Sequence, residues 1–198
     1  MWEQLKRITK PNAAIVLFGS QPFTSALIMS NIKMFKYCWV WDKGQGTGFL
    51  NAEKQPLKSC EDVCVFYEKQ SIYNPQMRKG FLPYIITQGK TKSKNYRKQT
   101  GATTISNGDR YPINKIVFQR DNTKIHPTQK PVALIQYLIM TYTNKGDLVL
   151  DFTIGSGTTA VAAHKTGRKY LGFELSDEYF DIAKNRIRDE TAQMSLEL

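Results

Sequence analysis

The chain has 198 residues, 41% hydrophobic and 12% aromatic, and a net charge of +11 from 28 basic and 17 acidic side chains. That size and apolar content fit one domain, or one domain with a sizeable insertion, and exclude a disordered chain. Cys38, Cys60 and Cys64 are odd in number and form no Cys-x-x-Cys pair, which argues against a disulfide framework or a metal site. With no long apolar run and no signal-type N-terminus, the expectation is a soluble, cytoplasmic protein that makes no membrane contact. Its positive charge suits a polyanionic partner such as nucleic acid.

Trp2 to Ile8 reads as the tail of a helix stopped by Lys10-Pro11-Asn12. Ala13 to Phe18 is a continuous apolar run ending at Gly19-Ser20, the pattern of a strand buried on both faces of a parallel sheet. Pro22 to Asn31 suits a helix with its proline in the first turn. Phe35 to Trp41 and Val63 to Tyr67 read as strands. Gly44, Gly46, Gly48 and Pro56 predict a long, flexible connection between them.

Arg78 to Gly108 differs in composition. It carries Arg78, Lys79, Lys90, Lys92, Lys94, Arg97 and Lys98 with no acid, a local charge of +7, and interleaves Phe81, Tyr84 and Tyr96. A charge run is often only a solvated loop. The aromatic interleaving favours an insertion that touches nucleic acid through phosphates. The expected organisation is therefore 1–77 as sheet, 78–122 as a basic insertion, and 123–198 as the remainder of the first domain.

Ile125 to Pro131 leads into Val132 to Tyr142, apolar at helical spacing, with Pro131 in the first turn and Gly146 as a cap. Then follow a strand from Leu148 to Asp151, a glycine loop, a helix from Thr158 to Thr166, a strand from Tyr170 to Glu174, and a last helix from about Asp177 to Glu190 capped by Ser176.

The glycine loop, Asp151-Phe-Thr-Ile-Gly-Ser-Gly-Thr-Thr159, holds the chemistry. Its glycines let backbone approach a ligand closely, and the helix after it aims free N–H groups at whatever lies above. Glu174, about twenty residues on, suits the hydroxyls of a ribose. The loop lacks Gly-Lys-Ser/Thr, so it is no P-loop. Gly155-x-Gly157-x-x-Ala160 formally matches a dinucleotide fingerprint, but too little chain follows for that fold, and Asp151 would repel a pyrophosphate. An acid at that place suits the ammonium and sulfonium of S-adenosylmethionine. A plain structural turn and a nicotinamide-dependent oxidoreductase stay open as alternatives.

With His126-Pro-Thr-Gln-Lys-Pro131 preceding that loop, the chain resembles the S-adenosylmethionine-dependent DNA amino-methyltransferases in their permuted (beta) arrangement. These enzymes methylate N6 of adenine or N4 of cytosine. Trp39-Val-Trp-Asp-Lys43, Asn51, Pro56-Leu57 and Glu61 also look like the family's middle segments. The resemblance implies an α/β, Rossmann-like methyltransferase fold with a mostly parallel sheet, and double-stranded DNA as partner. It implies that Asp151, Thr153, Gly155, Gly157 and Thr158 line the cofactor's methionine side and that Glu174 holds the ribose. His126, Thr128 and Lys130 would close over the cofactor, with Lys130 or a hydroxyl near its carboxylate.

Two departures stand out. Many members carry Asp-Pro-Phe where this chain has Asp151-Phe152-Thr153. The tetrapeptide Asp/Asn/Ser-Pro-Pro-Tyr, whose polar group and prolyl carbonyl orient the target amine, is absent; Gln21-Pro22-Phe23 and Asn74-Pro75-Gln76 are no substitutes. The family's sheet places the strand bearing it between Leu148–Asp151 and Ala13–Phe18, after one more strand. The expectation is a chain shortened at its N-terminus by roughly fifty residues, the usual size of a βαβ unit or more. Such a chain is either impaired alone, completed by a second chain that supplies the missing strands, or a non-catalytic DNA-binding remnant. No catalytic residue is assigned within it.

Overall fold

The structure, a computed structural model, describes residues 1–87, 89, 102–121 and 125–196. The chain divides into two compact units, Met1–Asn74 with Asn114–Leu198 and, separately, Pro75–Ile113.

In the larger unit α1 (Trp2–Ile8) leads to β1 (Ile15–Gly19), α2 (Phe23–Ser30), β2 (Phe35–Thr47) and β3 (Lys58–Phe66). After the smaller unit come β6 (Lys115–Val117), α3 (Val132–Tyr142), β7 (Leu148–Asp151), α4 (Thr158–Lys165), β8 (Lys169–Gly172) and α5 (Asp177–Leu196). A four-stranded sheet has the order β1-β3-β2-β6. β3 runs antiparallel to both β1 and β2, while β6 is parallel to β2, so β1, β2 and β6 share one direction. The strand read from Ala13 to Phe18 thus pairs with an antiparallel neighbour, although the α/β class with one dominant strand direction holds.

Alternation along β3 makes this sheet the centre of the core. Val63 and Val65 pack with Trp39, Trp41 and the α3 residues Leu134, Leu138 and Tyr142. Cys64 and Phe66 face Leu5 of α1, Leu27 of α2, Ile15 and Met34. Each of these β3 side chains is fully buried, which is worth about 1.5–3 kcal/mol apiece for Val63, Val65 and Phe66. α3 is keyed to β2 through Tyr142, whose hydroxyl accepts from Trp39 Nε1 at 2.6 Å and meets Tyr37 Oη at 2.9 Å. Burial pushes the Tyr142 hydroxyl well above the ordinary tyrosine range.

The glycine-rich stretch after Trp41 is not a loose connection. β2 continues through Gly44 and Gly46, and Thr47 pairs with Lys58 across an irregular register. Gly44, at φ +72°, absorbs the irregularity where the ladder breaks between Asp42 and Thr47. Gly146 does not cap α3 either: the helix ends at an extended Thr143, and Gly146 N–H donates to Gly167 O at 2.8 Å.

β7 and β8 form a second, two-stranded parallel sheet. Both sheets rest on the same helical layer: Phe18 of β1 and Val149 of β7 pack against Ile135 and Ile139 of α3 and Ala162 and Ala163 of α4. Among the described residues no strand joins them. Leu148, Leu171 and Phe173 are exposed.

The smaller unit holds a hairpin of β4 (Tyr84–Thr87) and β5 (Thr103–Ser106), with Ile85 opposite Ile105 and Thr87 opposite Thr103.

Candidate functional site

The glycine loop is built by the bonds of its two acids. Asp151 ends β7; its Oδ1 accepts the N–H of Thr153 at 3.0 Å and its Oδ2 the hydroxyl of Thr159 on α4. β8 stops at Gly172, so Glu174 lies beyond the strand. Its Oε2 accepts Gly155 N–H at 2.8 Å, and its Oε1 accepts the N–H groups of Leu175 and Ser176. Hydrogen bonds from Ser176 and Gly155 hold its carboxyl below the usual glutamate range. The two acids, far apart in sequence, thus flank one loop.

Gly157 has φ +81°, and a Cβ there would lie 3.2 Å from Ala183 of α5. Gly155 has φ +53° with the His126 ring 3.7 Å from the place of a Cβ. Both positions therefore exclude larger residues, one by conformation and contact, the other by conformation.

The segment 125–131 lies against this loop. The His126 ring packs edge-on to Tyr179 of α5, centroids 4.2 Å apart. His126 Nδ1 meets the Thr128 hydroxyl at 3.0 Å. Gln129 Oε1 accepts from Ile125 N–H at 3.0 Å and from the Ser156 hydroxyl of the glycine loop at 3.3 Å. The Nζ of Lys130 is 3.2 Å from Glu61 Oε2 and sits over the Phe18 ring at 5.1 Å. Its charge is thus compensated within the protein by Glu61. Glu61 also pairs with Lys43 at 2.7 Å, and Lys43 is only 5% exposed. Burial alone would raise the Glu61 carboxyl, but the hydrogen bond from Lys43 and the charges of Lys130 and Lys43 outweigh it and hold the group low. A small pocket of about 40 Å³ lies here, lined by Trp41, Glu61, Arg120, Asp121, Thr128 and Lys130 among others.

Thr158 opens α4. It is buried, and its hydroxyl accepts from Arg186 Nη1 of α5 at 3.0 Å. Arg186 donates to Ser156 O as well, bracing the loop. Thr153 is exposed at the loop's start. Sequence reasoning assigned no role to Thr159, Gln129, Arg186, Glu61 or Lys43. A signal existed for the last two: period-two alternation puts Lys43 in phase with Trp39 and Trp41, and Glu61 in phase with Val63 and Val65.

In the smaller unit, Arg78 exchanges backbone hydrogen bonds with Arg110 and donates through Nε to Tyr111 O. Lys79 pairs with Asp109, just past the acid-free stretch. Phe81 carries two guanidinium groups, Arg78 at 5.1 Å and Arg110 at 5.3 Å, and Arg110 also lies 4.3 Å from the Tyr84 ring. Arg110 was missed. Lys90, Lys92, Lys94, Arg97 and Lys98 lie outside the described residues. Among the described residues no cluster of metal-ligating side chains occurs and no helix is long and apolar enough to cross a membrane.

An α/β sheet with an acid-flanked glycine loop at a strand's C-terminal end defines a nucleotide-type cofactor seat. The family of DNA methylases that act on N6 or N4 amines matches residues 1–185, and the chain belongs to it. It is 25% identical over 194 residues to the type II methyltransferase M.HpaI of Haemophilus parainfluenzae, covering 95% of this chain and 57% of that one. It is 38% identical over 80 residues to the DNA adenine methyltransferase YhdJ of Escherichia coli, covering 40% of this chain and 27% of YhdJ. The chain thus spans little more than half of M.HpaI and about a quarter of YhdJ. Among solved structures it shares its fold with M1.HpyAVI in complex with SAM, at TM-score 0.64, 24% identity, and 93% and 78% coverage of the two chains. The fold also matches PvuII DNA methyltransferase (cytosine-N4-specific), at TM-score 0.63, 17% identity, and 91% and 69% coverage.

Proposed function

We propose that this chain holds the methyl donor for a DNA amino-methyltransferase that transfers a methyl group from S-adenosylmethionine to an exocyclic amine of double-stranded DNA. N6 of adenine is preferred over N4 of cytosine, a choice supported by the likeness to a relative named as a DNA adenine methyltransferase. The observation that carries the reading is the bond between Glu174 Oε2 and Gly155 N–H, which sets the second acid beside the loop that follows the first.

The donor set fits this cofactor. A carboxylate has about four acceptor positions. Asp151 uses one on each oxygen, leaving capacity for a cationic ammonium. Glu174 Oε2 carries one N–H and keeps room for a ribose hydroxyl. A like-charged phosphate about 4 Å from Asp151 would instead cost about 4 kcal/mol at an effective dielectric of 20. When bound, S-adenosylmethionine supplies an electrophilic methyl group on sulfur. Asp151 favours the cationic end, Gly155 and Gly157 allow close approach, Glu174 orients the ribose, and His126 and Thr128 shield the loop from the 125–131 side.

An exocyclic amine is a weak nucleophile because its lone pair is delocalised into the ring, so it must be flipped out and oriented by acceptors. No Asp-Pro-Pro-Tyr occurs in these 198 residues. In this reading those acceptors come from outside them, on a strand seated between β1 and β7, where two edges rest on one helical layer. The basic stretch from Arg78 to Gly108 contacts DNA phosphates.

Calorimetric titration of S-adenosylmethionine into the chain tests the cofactor reading. One-to-one binding is expected, weakened at least about tenfold, or 1.4 kcal/mol, in Glu174→Ala. NADH should give no heat. Absence of S-adenosylmethionine binding, or binding of NADH instead, contradicts it.

A further inference from the structure

Three facts about the segment 125–131 stand together. At one end His126 lies over Gly155 and Gln129 bonds Ser156, so the segment touches the glycine loop. At the other end Lys130 reaches Glu61 on β3. Glu61 is itself held by Lys43, a buried cation on β2 that bonds its other oxygen. Breaking a buried pair leaves a charge uncompensated, so Lys43 fixes the position of Glu61 more firmly than a surface partner could. The Lys130 ammonium is further confined between that carboxylate and the aromatic rings of Phe18 at 5.1 Å and Trp41 at 5.9 Å. Its Nζ also donates to Thr128 O at 3.2 Å, which ties the anchor back to the segment's own backbone.

We infer that Lys43 and Glu61 are positioning residues: through Lys130 they clamp the 125–131 segment to the four-stranded sheet and so fix its height above the glycine loop. Lys130 is the clamp's arm and not a ligand of the cofactor. This rests on the cofactor reading above only in what the segment covers; the clamp itself is a property of the chain alone.

The two roles for Lys130 predict opposite signs. If Lys130 bound the cofactor's carboxylate, Glu61 would compete for it, and Glu61→Gln would tighten binding. If Lys130 is a clamp, Glu61→Gln and Lys130→Met both loosen the segment and weaken binding. Lys130→Met leaves the Lys43–Glu61 bond intact, so it keeps the test open should Glu61→Gln fail to fold.

Amide hydrogen exchange on the cofactor-free chain reads the clamp directly. The amides of Ile125, Thr128 and Gln129 each have an acceptor within the segment. In Lys130→Met their exchange should rise about tenfold or more while the amides of Val63 to Phe66 stay unchanged, since local opening and global unfolding exchange separately. Lys130→Arg should restore slow exchange. Calorimetry with S-adenosylmethionine should then show weaker binding in the same variants that exchange faster. Unchanged exchange in Lys130→Met overturns the inference, as does tighter cofactor binding in Glu61→Gln. A wild-type chain that protects these amides but binds no S-adenosylmethionine strikes at the proposed function and leaves the clamp standing.

Discussion

The two sheets of the larger unit are made of similar residues and end in different states. β3 is covered on both faces, and Val63, Val65 and Phe66 are 0% exposed. β7 and β8 rest on α4 through Val149, yet Leu148 is 61% exposed and Leu171 47%. A strand's apolar alternation predicts which faces want burial, but a neighbour must be present to deliver it. The four-stranded sheet finds its neighbours within the chain. The two-stranded sheet carries the glycine loop and leaves Leu148 and Leu171 exposed.

Truncating one apolar side chain in each sheet should separate the two most strongly. Phe66→Ala should cost about 3–5 kcal/mol by urea denaturation, and Leu171→Ala under about 1 kcal/mol. Equal costs would mean that β8 is as well covered as β3. Gly157→Ala comes next, at about 2 kcal/mol, because it combines a positive φ with a tight contact to Ala183. The same substitution should abolish cofactor binding by calorimetry.

The pH dependence follows from Glu61 and Glu174. Both are held below the ordinary glutamate range. A depressed carboxylate contributes its stabilisation in full above the unfolded value, about 4.3, and loses it as pH falls through the folded value. The urea midpoint should therefore fall as pH drops below about 4.5, and Glu61→Gln should flatten that slope. An unchanged slope would remove Glu61 as a depressed acid. The smallest effect belongs to Lys79→Met, which breaks an exposed pair with Asp109 and should cost at most about 0.5 kcal/mol. If Lys79 contacts phosphate, the same variant lowers the salt slope of DNA binding by about one.

Much of this was legible in the chain. α1 and α3 were found because proline and hydrophobic periodicity mark their limits, and the loop between Asp151 and Glu174 was found because acids and glycines fall at fixed offsets. The β2–β3 pairing beyond Trp41 was missed because glycines that normally break a strand here absorb a register irregularity. The Lys130–Glu61 pair was not legible, because Glu61 lies on a distant strand and no local pattern encodes that contact. Arg186 was invisible for the same reason: it braces Ser156 and Thr158 from a helix 28 or more residues away. The Lys79–Asp109 pair showed that an acid-free stretch can find its counterion one residue past its edge.

Methyl transfer from labelled S-adenosylmethionine to duplex DNA tests the central claim most directly. It is measured for these 198 residues alone and with a polypeptide added that carries a strand ending in Asp-Pro-Pro-Tyr. Cofactor binding without transfer is expected in the first case and transfer in the second. Full transfer by the 198 residues alone would contradict it.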